Sequence, residues 1–254
     1  MGKTTLLITD VTRMSGEQVC VAALDEAGHS IRPLPEVGGK VFNHLRSDLR
    51  LPDGTVIRSR GVLSAAIKPL SRLRRPHLED VAYQRAGASI TGILPHEEFL
   101  TRLERCCDRG VREVYGRNLE GEPRAYTLPD RGSRSLGTVR AVVPAFVSLA
   151  EREGRLKPRL TFRTTAEDMT WDFPIVDLAF CGYVEARRSS NALAVIEMEL
   201  NRKWCECAAI YLRVGLTRPY KPPGADWPEE RCFVQVIAIH TQPDYLAGRC
   251  WADF

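Results

Sequence analysis

The sequence predicts a mainly β chain with a few helices (α+β), arranged as two small β-barrels packed together. Three observations carry this. Short apolar, β-branched runs bounded by turn residues recur along the 254 residues, and only three stretches have helical spacing. Two segments near opposite ends are alike: Cys20 to Arg32-Pro33 and Cys207 to Arg218-Pro219. Each holds a Cys, small residues, a strand-like run, a Gly and then Arg-Pro, which suggests one structural unit used twice. Residues 116–137, rich in Gly, Pro, Arg and Ser, read as a long loop that separates a first unit (1–115) from a second (138–254).

The elements follow in order. Residues 4–9 form a strand and 10–17 a loop. Residues 18–25 and 28–33 form a hairpin about Gly28, ended by Pro33 and Pro35. A turn at Pro52-Asp53-Gly54 leads into strand-like residues 55–68. Residues 77–83 read as a short helix. Residues 95–106 are a clearer one: Pro95 suits the first turn, Glu97 and Glu98 suit its positive end, and Phe99, Leu100 and Leu103 share a face. Strands are expected at 138–148, 157–163, 168–173 and 176–184. Ser189-Ser190 would cap a helix over 191–202. Strand 207–214, a Pro-rich loop from Tyr220 to Pro228 and a last strand from Cys232 to His240 complete the chain.

Composition sets the functional frame. At 44% hydrophobic and 27% charged, the chain can bury a core and is not of the disordered class. No apolar run reaches membrane-span length, so no membrane partner is expected. Leu6 to Ile8 is too short for a signal peptide, which points to the cytoplasm. The eight cysteines lack paired ligand spacing, so no metal and no cofactor is expected.

Net charge is +4, and it is uneven. Between Asp53 and Glu79 the only charged residues are Arg58, Arg60, Lys68, Arg72, Arg74 and Arg75, and a second basic stretch runs from Arg152 to Arg163. Clustered cations favour DNA or RNA, the alternative being a solvated basic face. Arg13 and Arg213 join the candidate contacts. Arg32 and Arg218, each followed by Pro, either grip phosphate or pair with a carboxylate between the units. Tyr220, Lys221 and Trp227 suit base stacking beside a cation.

One cluster could carry chemistry. His77, Glu79 and Asp80 supply an acid, a base or metal ligands, and a metal-dependent nuclease or phosphoesterase would add Asp177 or His240. The competing reading places Glu79 and Asp80 at a helix start with His77 packed. Gly2-Lys3-Thr4-Thr5 lacks the strand and helix that a phosphate loop needs, and no Gly-x-Ser-x-Gly or paired-His motif occurs.

Several segments, in order, resemble the dual OB-containing domain family. They are Leu6 to Gly16, Val19 to Ala22, Ser30 to Pro33, Arg75 to Asp80, Ser135 to Thr138, Asp177 to Phe180, Leu212 to Pro219 and Ile239 to Leu246. The resemblance implies two OB-like barrels, a bacterial or phage source and a nucleic-acid-associated accessory role in conflict systems or DNA metabolism, with a protein partner possible in that setting. It supplies no catalytic residue. The chain departs from it at residues 116–134, which are long and Arg-rich. A nucleic-acid-binding protein without catalysis is thus the leading expectation, with the nuclease and a protein-interaction adaptor as alternatives.

Overall fold

A computed structural model describes residues 2–254. The fold is mainly β, with 43% of residues in strands and 19% in helices. The strands form two curled sheets. Among the described residues no helix is long and apolar enough to cross a membrane.

The first sheet holds β1 (Thr4–Arg13), β2 (Gln18–Leu24), β3 (Ser30–Val37), β4 (Lys40–Val41), β5 (His44–Leu45), β6 (Gly61–Ala65), β7 (Ile67–Pro69), β8 (Asp80–Gln84) and β9 (Ser89–Ile93). β1 pairs antiparallel with β2, and β2 with β3. β3 runs parallel to β8, and β8 is antiparallel to β7. Only Ala66 separates β7 from β6, which pairs back onto β1. The pairing path therefore returns to its start. Alternate residues of β1, β2 and β6 point inward, as the two-residue period of a strand requires, and bury Leu6, Ile8, Val21 and Leu63 with Tyr83.

α1 (His96–Arg105) links the sheets. The second sheet begins at β10 (Cys107–Asp108), followed by α2 (Val111–Tyr115) and β11 (Tyr126–Thr127). Then come β12 (Leu136–Ala141), β13 (Phe146–Arg152), β14 (Arg155–Thr164), β15 (Glu167–Pro174), α3 (Leu178–Arg188), α4 (Leu193–Cys205), β16 (Ala209–Leu216) and β17 (Cys232–Gln242). β12 pairs with β14, β14 with β15, β17 with β16 and β16 with β12, all antiparallel. Just past β15, Ile175 bridges in parallel to Val236 of β17, so this path also returns to its start. Trp171, Phe173, Phe180 and Trp204 fill the interior. The open edge of β13 is covered by α4: the Asn201 amide accepts from Val147 N–H (2.7 Å) and donates to its carbonyl (2.9 Å). Such a cover blocks pairing with another strand.

Three sequence expectations are corrected. Residues 77–83 are not a helix. Asp80 to Gln84 form β8, because a parallel ladder to β3 outweighs a short helical pattern. Residues 176–184 are not a strand but the start of α3. Asp177 caps it by accepting from Ala179 N–H (2.9 Å) and Phe180 N–H (3.3 Å), and Leu178, Phe180, Cys181 and Val184 follow helical spacing. The Cys-to-Arg-Pro segments are not equivalent units. The first spans the β2–β3 hairpin, with Arg32 inside β3, whereas the second is one strand, β16, with Arg218 beyond its end.

Gly137 shows how tightly the second sheet is covered. A Cβ there would lie 2.5 Å and 2.6 Å from the two methyl carbons of buried Val114 on α2. Gly137→Ala is therefore expected to lower stability by about 1–3 kcal/mol through overpacking. A fall in the urea midpoint at unchanged slope is the measurement.

Candidate nucleic-acid interface

A connected cluster of polar side chains lies in the seam between the sheets. Asp80, at the start of β8, receives Arg32 Nη1 at 2.8 Å on one carboxylate oxygen and Arg218 Nη2 at 2.6 Å on the other. The two Arg-Pro arginines thus share one carboxylate. Arg32 also donates to Ser135 Oγ (3.0 Å) and to His77 Nδ1 (3.2 Å). A guanidinium only donates, so Nδ1 accepts. Nε2 then carries the proton and donates to Thr217 O (3.1 Å). His77 is therefore neutral, and both ring nitrogens are engaged. Burial, with Arg32 and Arg218 beside it, pulls its pKa down to about 2. Glu79 accepts from the backbone N–H of Ser135 (2.5 Å) and of Leu136 (3.2 Å).

A second buried cluster sits deeper in the seam. Arg213, fully buried in β16, donates to Asp10 Oδ2 (3.1 Å) and Thr138 Oγ1 (2.8 Å). His240 Nε2 lies 3.1 Å from Thr9 O. Asp177 is the cap of α3 and also accepts from Ile239 N–H (3.2 Å). Burial raises its pKa to about 7 against the pull of three backbone N–H groups. Asp177 and His240 line a small cavity with Asp10 and His96, and His77, Glu79 and Asp80 do not line it. The five residues considered for catalysis are thus divided between two places. Among the described residues, no group of three or more His, Cys, Asp or Glu could hold a metal ion.

Most of the arginines and lysines expected at nucleic acid hold the fold instead. Arg32 and Arg213 are buried. Arg13 donates to Leu156 O (2.9 Å), Arg58 to Gly248 O (2.7 Å) and Arg60 to Leu94 O (2.9 Å). Lys68 pairs with Glu36. Arg72, Arg74, Arg75, Tyr220 and Lys221 are exposed, and Trp227 is half-buried. A run of cations in sequence says nothing of which way each side chain points, and backbone carbonyls left open at loops attract nearby guanidinium groups.

The open basic face lies elsewhere, on the outer side of β13, β14 and β15. Alternation along β14 buries Leu156, Leu160 and Phe162, and turns Arg155, Lys157, Arg159 and Arg163 outward. On β13, Phe146, Ser148, Ala150 and Arg152 face the same way. The register sets Phe146 opposite Thr161, Ser148 opposite Arg159 and Ala150 opposite Lys157. Phe146 is 48% exposed, a large aromatic ring left on a cationic sheet. Among the described residues, Arg152, Arg155, Lys157 and Arg163 make no ion pair and no side-chain hydrogen bond. Asp172 on β15 joins this face to the next element, accepting from Arg159 Nε (2.7 Å) and Arg124 Nε (3.1 Å).

Beyond Arg124 the surface becomes a stack. The Arg231 guanidinium lies 4.1 Å from the Tyr126 ring centroid and 4.2 Å from that of Trp227, and Glu229 holds its edge. This stiffens the loop between β16 and β17. Tyr220, 50% exposed, is fixed by paired backbone hydrogen bonds with Arg231, both 3.0 Å. The second basic stretch in the sequence pointed to this face. The signal that identifies it is the alternation of Arg155, Lys157, Arg159 and Arg163 with apolar residues.

In comparisons with known proteins, no family model and no curated protein matches the chain.

Proposed function

We propose that the protein binds single-stranded nucleic acid across the outer face of β13, β14 and β15, and has no catalytic step of its own. The observation that carries this is the row of unpaired Arg and Lys residues beside exposed Phe146. Cations neutralise the backbone, and an aromatic ring on the same face offers a base a surface to stack on.

The strand pairing supports an OB-like reading of each half. In both, the first strand pairs with the second, the second with the third, the third runs parallel to the fifth, and the fourth joins the fifth to the first. In the second half these strands are β12 with β13, β14, β15, β16 and β17. An OB barrel binds oligonucleotides on strands two and three and on its 1–2 and 4–5 loops. Here those strands are β14 and β15, and the 4–5 loop carries Tyr220, Trp227 and Arg231. In the first half the equivalent face, β2 and β3, meets the other sheet. Ala22 packs on Leu136 and Ile237, and Arg32 reaches Ser135. One face per chain is therefore open. Nuclease chemistry finds less support, since both ring nitrogens of His77 are engaged by neighbours.

Titration of fluorescent single-stranded DNA and RNA over a salt series tests the reading. Four unpaired cations predict a log–log slope of about −3, at about 0.7 per phosphate contact. Phe146→Ala is expected to weaken binding by about 1–3 kcal/mol with the slope unchanged. No binding at low salt, or binding indifferent to Phe146, Lys157 and Arg163 together, would overturn it.

A further inference from the structure

Resting on that reading, we infer that the loop over residues 70–79 of the first half, exposed at residues 71–75, extends the second half's binding track, so that a longer strand is gripped by both halves. Two contacts of this loop, and one of Asp80 just after it, bring it to the second half. His77 donates to Thr217 O (3.1 Å), Arg218 pairs with Asp80 (2.6 Å), and Arg75 Nη1 donates to Gly132 O (2.9 Å). They hold the loop against the corner where Tyr220 and Lys221 emerge.

The charges at this junction are unbalanced. Arg72, Arg74 and Lys221 are exposed and make no ion pair among the described residues. Arg75 has only a carbonyl partner, which leaves its charge uncompensated. The acids near the junction are Asp130, whose N–H donates to Arg75 O (3.1 Å), Glu230, and Glu229, which is bonded to Arg231 and also feels the Lys221 charge; they are fewer than the cations. Glu79 and Asp80 are directed inward to Ser135 and the two arginines. Like charges on Arg72, Arg74 and Arg75, within four residues of one loop, repel, and a phosphate backbone is a ligand that relieves the repulsion.

Contacts connect this patch to the sheet face. The series runs from Arg159 through Asp172 and Arg124 to the Tyr126–Arg231–Trp227 stack, and from Arg231 by backbone pairing to Tyr220. Lys221 follows Tyr220 in the chain, and three residues before Tyr220 the Thr217 carbonyl holds His77, whose backbone N–H donates to Arg74 O (2.8 Å). The ligand is thus a single strand long enough to cross from β14 to the loop. A short oligonucleotide would occupy the sheet face alone.

The test is affinity against length, with oligothymidylates from about 4 to about 20 nucleotides competing against a labelled long strand. The full chain is compared with Arg72→Ala/Arg74→Ala, which keeps Arg75 and its bond to Gly132. Loss of two phosphate contacts predicts about 25-fold weaker binding of the longest strand at 0.1 M salt, at about fivefold per contact. The shortest strand should bind equally to both proteins. A parent-to-variant ratio that stays flat with length overturns the inference. Lys157→Ala/Arg163→Ala separates the two ideas. If it weakens every length while the loop variant changes none, only the extended track fails. If it weakens none, the sheet-face reading fails with it.

Discussion

Arg213→Leu is expected to destabilise the protein by about 3–5 kcal/mol, the range for breaking a fully buried ion pair from one side. Arg213 and Asp10 both have side chains with no solvent exposure. Removing the guanidinium leaves Asp10 charged and buried, with Thr9 Oγ1 as its remaining side-chain donor (2.8 Å). It also leaves Thr138 Oγ1 without its arginine partner. The cost comes from the stranded charge, so the double variant Asp10→Val/Arg213→Leu should recover most of it. Urea midpoints of the two singles and the double measure this. If the single variants are as stable as the parent, the pair is not the buried ion pair described. Because Arg213 has no exposed surface, the folded fraction of either variant should bind oligonucleotides as the parent does. This opposes the expectation from sequence, which placed Arg213 among the nucleic-acid contacts.

That reversal marks the limit of sequence reasoning in this chain. The mainly β class and the helix at 95–106 are legible because turn residues and periodicity are local signals. The parallel ladder between β3 and β8 is not, because no residue pattern announces which strands meet across more than forty positions. The same ladder turned His77, Glu79 and Asp80 from a presumed helix start into a buried joint. The similarity of the two Arg-Pro segments arose on unlike structures, a hairpin and a single strand. Their arginines nevertheless meet, and the alternative of pairing with a carboxylate between the units is the one realised, at Asp80. The basic face on β14 was legible in principle, since Arg155, Lys157, Arg159 and Arg163 alternate with apolar residues. The loop cations of residues 58–75 drew more weight because they form a longer run without acids. Of these, Arg58, Arg60 and Lys68 are held by partners, and only Arg72, Arg74 and Arg75 remain at the surface.

Acid should unfold the protein through its histidines. Burial lowers His44 to about 4, lowers His240 to about 3, and, with Arg32 and Arg218, lowers His77 to about 2. An unfolded histidine titrates near 6.5. A folded pKa below the unfolded one means that the unfolded chain takes up protons first. The stability is therefore fully present above about pH 6.5 and is lost as pH falls toward the folded values. Between pH 7 and pH 5 each histidine costs about 2 kcal/mol, so the three together cost about 6 kcal/mol. Asp177 opposes them. Burial raises its folded pKa to about 7, so its penalty is greatest above that pH and eases on acidification. From pH 7 to pH 5 it returns about 2 kcal/mol, which leaves a net loss of about 3–4 kcal/mol. That is a large share of a domain's usual margin of about 5–15 kcal/mol. Urea midpoints should accordingly fall between pH 7 and pH 5. His77→Gln should flatten that fall by about a third of the histidine contribution, because it removes one titrating group. A midpoint that stays level across this range would mean that the histidines are not held neutral in the fold. Loss of the dependence in His77→Gln alone would instead place the whole effect in the Asp80 seam. Below pH 4 the compensation from Asp177 ends, but His44 and then His240 begin to protonate in the fold as well, so the fall should ease rather than steepen as pH drops toward 3.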